Sequence, residues 1–203
     1  MNAGLGTLAD LKSRLLPPSM QQHTTHDNAL LSIGRGVAAS FNRFCNRTFP
    51  RAEATTCVFS ADRDHFFLPR FPVESVSKIE QRDDYASSWV SLALAGVLTE
   101  FKEETGLIGF WAPLGPAGSF IRVTYTGGFW VDDTEGGSGT LPTGATALPD
   151  DVREAWFLQC ERVWGARDNL GQRLASKDAP APIQELQPEV RRLLTGFIRY
   201  QMT

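Results

Sequence analysis

The spacing of apolar residues changes period twice along the chain and divides it into helix, sheet and helix. Thr7, followed three residues later by Asp10, makes a capping-box-like start; Leu8, Leu11 and Leu15 then recur at helical spacing until Pro17-Pro18 forbids continuation. From Asp27, a residue suited to an N-cap, Leu30, Ile33, Val37, Phe41 and Phe44 keep steps of three and four as far as Cys45, the stripe of a core-facing helix. Gly34 and Gly36 weaken this helix by about 1 kcal/mol each relative to Ala, and so predict close packing against a neighbour. Asn46 is its stop.

From Ala54 to about Thr126 the chain breaks into short runs rich in β-branched and aromatic residues, ATTCVFS, HFFLP, VESVSKIE, VSLAL, TEFKE, LIGFW and SFIRVTYTGG, separated by turn-forming clusters. This pattern predicts a mostly antiparallel sheet. Residues Asp132 to Thr146 are small, polar and turn-forming, which predicts a surface loop. Pro149 at a first helical position, with Asp150, Asp151 and Glu154 in the opening turns, starts a helix whose stripe is Val152, Trp156, Cys160 and Val163, with the Asp27 helix as its expected partner. Beyond a second polar stretch containing Pro180, Pro182 and Pro188, a last helix runs from Glu189 with Val190, Leu193, Leu194, Phe197 and Ile198 on one face and Arg191, Arg192 and Arg199 on the other. At about twelve residues it is too short to stand alone, so its apolar face must dock on something.

These elements together predict an α+β fold: a helical bundle of about four helices with an inserted, mostly antiparallel β lobe. Residues 1–50 hold the N-terminal bundle helices, 54–128 the β lobe, 129–147 a flexible loop, 148–170 a further bundle helix, and 171–203 a tether and C-terminal docking helix.

Composition removes several functions. Twenty Lys+Arg against 23 Asp+Glu give a net charge of -3, without the basic excess that phosphate neutralisation demands of a dedicated DNA binder. Cys45, Cys57 and Cys160 are an odd number with no C-x-x-C spacing, which argues against a disulfide framework or a zinc knuckle. The start lacks the basic-then-apolar order of a secretory signal and no run of about 18 apolar residues exists, so a reducing cytoplasm is the expected compartment.

Candidate chemistry is sparse. His23 and His26 form an H-x-x-H pair with no third ligand near, and His65 beside Asp64 lacks a nucleophile in a strand-to-helix elbow. Asp132, Asp133 and Glu135 form an acidic cluster whose spacing does not match a calcium loop. No glycine-rich segment has the spacing of a nucleotide cradle. Trp89, Trp111, Trp130, Trp156 and Trp164 could make a sugar-stacking platform, although Trp111 in a strand and Trp156 in a helical stripe read better as core. No catalytic, cofactor-binding or metal-ligating residue is assigned.

The order of several local motifs carries more. An L-x-x-L-K-x-x-L helix comes first. DNALLSIGRGVAASFNRFCNRTF follows, with Arg47-Thr48-Phe49 at its end; then come FFLPRFPVESVSKIE with Pro69, Arg70, Phe71 and Pro72, VTYTGGF with Tyr125, Gly127 and Gly128, and LPDDVREAWFLQCERVW opening on Leu148-Pro149. Over nearly the whole chain this order resembles the tailed-phage head-to-tail connector, or adaptor, family. The segment between Gln81 and Ser119 is longer here than in that family, as is the Asp132 to Thr146 loop, so the β lobe is enlarged.

The resemblance implies a structural virion protein without enzyme activity or cofactor. It would form a homo-oligomeric ring under the portal, of about a dozen copies in that family, that extends the DNA channel toward a tail-side connector, stopper or tail-terminator protein. It implies virion localisation, with host cytoplasm during assembly, and no membrane. The family's portal-reaching C-terminal segment maps onto Val190, Arg191, Arg192, Leu193, Leu194, Phe197, Ile198 and Arg199, while Asp132, Asp133, Glu135, Asp150 and Asp151 become acidic groups for a channel or loop surface past which DNA slides without specific binding. Two alternatives remain: a β-rich carbohydrate-binding module, and a DNA-binding regulator using the terminal arginines.

Overall fold

The computed structural model describes residues 1–132, 134, 139–166 and 185–199. The chain divides into two compact units. One comprises Met1–Arg47, Val131–Leu141 and Ala147–Thr203, and the other Thr48–Trp130 with Pro142–Thr146.

In the helical unit, α1 (Leu8–Leu15) opens on the expected capping box: the Asp10 amide donates to Thr7 Oγ1 at 3.1 Å and the Thr7 amide to Asp10 Oδ2 at 2.9 Å. The 18-residue α2 (Asp27–Phe44) begins at the expected residue, but Asp27 stands inside the first turn, where its carboxylate takes the Lys12 ammonium at 2.6 Å, rather than at the N-cap. Pro149 likewise sits one position outside α4 (Asp150–Ala166), with its carbonyl accepting from the Val152 and Arg153 amides, both at 3.1 Å. As the stripes predict, α4 packs on α2. Trp156 is fully buried there, and its indole N–H donates to the Gly34 carbonyl at 2.9 Å. The short α5 (Pro188–Leu194) packs on α4, followed by a 3₁₀ turn over Thr195–Phe197.

The expected four-helix bundle is not what forms. Among the described residues there are five α-helices, of which only α2 and α4 exceed eight residues; α1 ends at the Pro17-Pro18 stop, α5 has seven residues, and the four-residue α3 (Leu94–Val97) belongs to the β-rich unit. Two long helices with short flanking segments leave no four-membered core for a bundle to share.

The β-rich unit holds β1 (Ala52–Ser60), β2 (His65–Phe67), β3 (Val73–Arg82), β4 (Val90–Leu92), β5 (Leu98–Lys102), β6 (Leu107–Phe110) and β7 (Phe120–Gly127). A four-stranded sheet has the order β1-β7-β3-β4 and a three-stranded sheet the order β2-β6-β5, with every pairing antiparallel. A third sheet pairs β8 (Phe129–Trp130) with β9 (Thr146–Ala147). Alternation along β7 is strict: Ile121, Val123 and Tyr125 are buried, while Phe120, Arg122 and Thr124 face the other way. The first set meets Phe66, Leu68, Ile79, Ile108 and Phe110 in one apolar core drawn from both larger sheets. Each such side chain contributes about 1.5–3 kcal/mol when fully buried.

Candidate functional site

Apart from Arg47 and Pro149, the residues named for the family resemblance converge at a single junction of the β-rich unit. The Thr48 amide donates to the Pro69 carbonyl at 2.8 Å, the Gly128 amide to the Pro72 carbonyl at 2.8 Å, and the Phe129 amide to the Phe49 carbonyl at 2.7 Å. The Arg70 amide donates to Tyr125 Oη at 3.2 Å, and its guanidinium donates to the Pro50 carbonyl. Phe49 is fully buried and stacks on Phe129 at 6.3 Å between centroids, and Phe71, ahead of a cis bond to Pro72, is buried in the sheet core. Gly128 has φ +98° and its position leaves no room for a Cβ, which would lie 2.7 Å from the Pro50 carbonyl oxygen. The motif is therefore a knot tying the start of β1, the β2–β3 connection and the end of β7. Its chemistry is hydrogen bonding and packing.

Pro149 and Arg47 lie in the helical unit, Pro149 ahead of α4 and Arg47 buried after α2. Burial pushes the Arg47 pKa down to about 10, an effect that Cys45 opposes and the neighbouring Arg199 adds to. The C-terminal segment is tied down here: the Arg199 amide donates to the Cys45 carbonyl at 2.9 Å and Asn46 Nδ2 to the Arg199 carbonyl at 3.5 Å. Burial lifts the Cys45 thiol to about 11 and the Cys160 thiol to about 12, which keeps both protonated and poorly nucleophilic at neutral pH.

The apolar face of the last helix is used within the chain. Val190 and Leu194 are fully buried in the helical unit, whereas Leu193, Phe197, Ile198 and Arg199 are half-buried and Arg191 and Arg192 exposed. Asp150 and Asp151 are exposed in the first turn of α4, where the helix dipole favours them. Asp132 folds its own loop, accepting from the Thr134 amide at 3.0 Å, Thr134 Oγ1 at 2.6 Å and the Gly139 amide at 2.9 Å, bonds that hold its carboxyl below the ordinary range. Asp133 and Glu135 lie outside the described residues, as does much of the expected tether, 171–184.

One arrangement, and one partner of another, escaped the sequence: the cluster around Trp89, and Glu100 beside the His65–Asp64 pair. On the polar face of the four-stranded sheet, the Arg82 and Arg122 guanidiniums each stand 4.5 Å from the Trp89 ring centroid, and Arg122 and Lys78 grip Glu80, each at 2.7 Å. The Lys78 bond, and then the Arg122 bond, hold the Glu80 carboxyl below its usual range. Trp89 is thus stacked by guanidiniums rather than offered to a sugar. Trp111, expected in the core, is instead 85% exposed, because β6 ends at Phe110 and the chain turns there. The second arrangement surrounds His65, whose Nδ1 lies 2.9 Å from Asp64 and whose Nε2 lies 3.5 Å from Glu100, both His65 and Glu100 being opposite Gly109 in register. Period-2 patterning cannot reveal a pair separated by a third strand.

A groove of about 430 Å³ runs beside α2 against Gln159, Val163 and Leu186, and among the described residues Arg43 is the ionisable one that lines it. Among the described residues no group of three or more His, Cys, Asp or Glu is placed to hold a metal ion, and no helix is long and apolar enough to cross a membrane.

No protein-family model matches the chain, and no curated protein sequence matches it. Solved structures do. A chain from the neck of an empty gene transfer agent (GTA) particle computed with C6 symmetry superposes with a TM-score of 0.64 at 20% identity, and one from the virion of the native GTA particle with 0.60 at 21%. A third, from the neck of the native particle computed with C12 symmetry, gives 0.51 at 17%. All three alignments cover 97% of this chain and 90% of the other. The chain therefore has the fold of GTA neck and virion chains, in agreement with its resemblance to head-to-tail connectors.

Proposed function

We propose that this chain is a structural protein of the neck of a phage-like virion, acting without enzymatic chemistry or cofactor. The observation that carries this reading is the fold shared over 97% of the chain with GTA neck and virion structures. In the finer form of the proposal, copies of the chain form a ring under the portal protein, meet a tail-side connector, stopper or tail-terminator protein, and continue the DNA channel. The C6 and C12 symmetry used for the neighbouring necks suits copies arranged about an axis. Portal contact falls to the part of the C-terminal segment left open by the fold: exposed Arg191 and Arg192 with half-buried Leu193, Phe197 and Ile198. Exposed Asp150 and Asp151 supply acidic surface for the channel side.

The test is imaging of purified particles together with sedimentation of the full chain with and without its cognate portal. The chain should be found at the neck and should co-sediment with the portal. A chain absent from particles and indifferent to the portal overturns the reading.

A further inference from the structure

We infer that the four-stranded sheet joins copy to copy: the outer edge of β1 in one molecule pairs with the outer edge of β4 in the next. The inference rests on the ring reading above and names the surface through which the ring closes.

Strand direction suits such a joint. The order is β1-β7-β3-β4 with every internal pairing antiparallel, so β1 and β4 run in opposite directions, each bonded to a single neighbouring strand. Copies related by a modest rotation about a common axis keep their strand directions. With four strands per copy, β4 of one molecule meets β1 of the next antiparallel, and the alternation continues unbroken. An odd number of strands would have forced a parallel joint. Two β1 edges could also pair antiparallel about a two-fold axis, but that contact closes after two copies and cannot build a ring.

The runs that would meet carry none of the side chains that keep sheet edges apart, although β4 is short and β1 has a bulge near its start. Natural edge strands are blunted by lysine, proline or inward-pointing charge. In β1 the charge of Glu53 and the register shift between Ala52 and Thr55 confine the joint to Thr55–Ser60; that run and Val90 to Leu92 in β4 contain no charged residue and no proline. Each edge exposes a β-branched side chain, Val58 at 52% and Val90 at 62%. Register places them on opposite faces. Val58 lies opposite Arg122, Arg122 opposite Glu80 and Glu80 opposite Ser91, whereas Val90 lies opposite Gln81, Gln81 opposite Ile121 and Ile121 opposite Phe59. A β4-to-β1 joint thus sets Val58 on the face of Ser91 and Val90 on the face of Phe59, so that the second face gains an apolar pair. With only three residues in β4 the joint is short, and a modest contact repeated around an axis suits assembly on a template rather than free association.

The test uses the full chain with Val58→Lys, which charges the β1 edge, and Val90→Lys, which charges the β4 edge; Thr56→Lys, at another exposed β1 position, replaces the first if that variant fails to melt like the wild type. Incorporation into particles and portal-templated assembly are measured for each variant and for a mixture. Each variant alone should fall at least about tenfold below the wild type. The mixture, which retains one intact β1 and one intact β4 edge, should give a two-chain species and nothing larger. Variants that fold and incorporate as well as the wild type overturn the joint while leaving the neck reading intact. Self-pairing by Val90→Lys without mixed pairing would show a two-fold β1 contact and overturn it equally. Absence of the wild-type chain from particles fells the neck reading itself.

Discussion

Gly34 and Gly36 stand two residues apart on α2 and meet opposite surroundings. A Cβ at Gly34 would lie 2.5 Å from the Ala3 carbonyl oxygen and 3.0 Å from the Trp156 ring, whereas at Gly36 nothing lies within 4 Å. The sequence predicted close packing at both, since an apolar stripe locates a face but not which of two glycines touches its neighbour. Gly34→Ala should destabilise by about 1–3 kcal/mol through overpacking. Gly36→Ala should stabilise by about 0.5–1 kcal/mol through helix propensity and reduced freedom of the unfolded chain. Thermal melts of the two variants check both signs, at about 2–4 °C per kcal/mol for a chain of this size. His65 offers a second residue-scale outcome. Its pKa is raised, first by the bond to Asp64 and then by the charges of Asp64 and Glu100, while Asp64 and Glu100 are held low, Asp64 mainly by His65 and Glu100 mainly by Lys102. The imidazolium contribution to stability is therefore complete below the unfolded value of about 6.5 and is lost as pH rises through the folded value; the carboxylate contribution is lost as pH falls through their lowered values. An NMR titration should place the His65 midpoint above that of a free histidine, with Asp64→Asn lowering it more than Glu100→Gln.

At the scale of elements, α5 separates core from surface within a single turn. Leu194 is fully buried and its neighbour Leu193 only half so, although the two are indistinguishable in composition. Leu194→Ala should cost about 2–5 kcal/mol of the isolated chain's stability. Leu193→Ser with Phe197→Ser should change the melt little and reduce co-sedimentation with the portal instead; a large loss of melting temperature from that pair would assign both residues to the core. The helices and the β-rich segment were legible because α2, α4 and β7 each keep one period along their length, and Thr7 with Asp10 fixes a helix start by local chemistry. The number of long helices was not, because the stripe from Glu189 shows amphipathicity without showing that the helix stops at Leu194. The motif residues were found as words in the sequence, but their meeting between Pro50, Pro72, Tyr125 and Gly128 depends on the pairing of β7 with both β1 and β3, which local pattern does not encode. The same holds for Glu80 with Arg122, and for Trp111, whose exposure is decided by where β6 ends.

For the whole molecule, charge is the property that bears on DNA. The net charge is -3, and several cations are already engaged: Arg51 with Glu74 at 2.6 Å, Arg122 with Glu80 at 2.7 Å, Arg14 with Glu154 at 2.7 Å and Lys12 with Asp27 at 2.6 Å. Each phosphate contact needs a Lys or Arg that releases a counterion, and affinity for duplex DNA scales with the number of such contacts. Exposed Arg191 and Arg192 belong to the segment assigned to the portal, while Asp150 and Asp151 present negative charge at the start of α4. In the proposed conduit role, a surface of this kind would repel the duplex at close range and let it slide. We therefore predict that the isolated chain binds labelled duplex without sequence preference and more weakly than the roughly 10⁻⁴–10⁻⁶ M typical of ordinary non-specific binding at physiological salt. What affinity remains should fall further as salt rises, with a shallow slope. A fluorescence titration across several duplex sequences and two salt concentrations reads both quantities; nanomolar, sequence-selective binding would reject the conduit and turn attention to Arg191, Arg192 and Arg199 as a recognition surface.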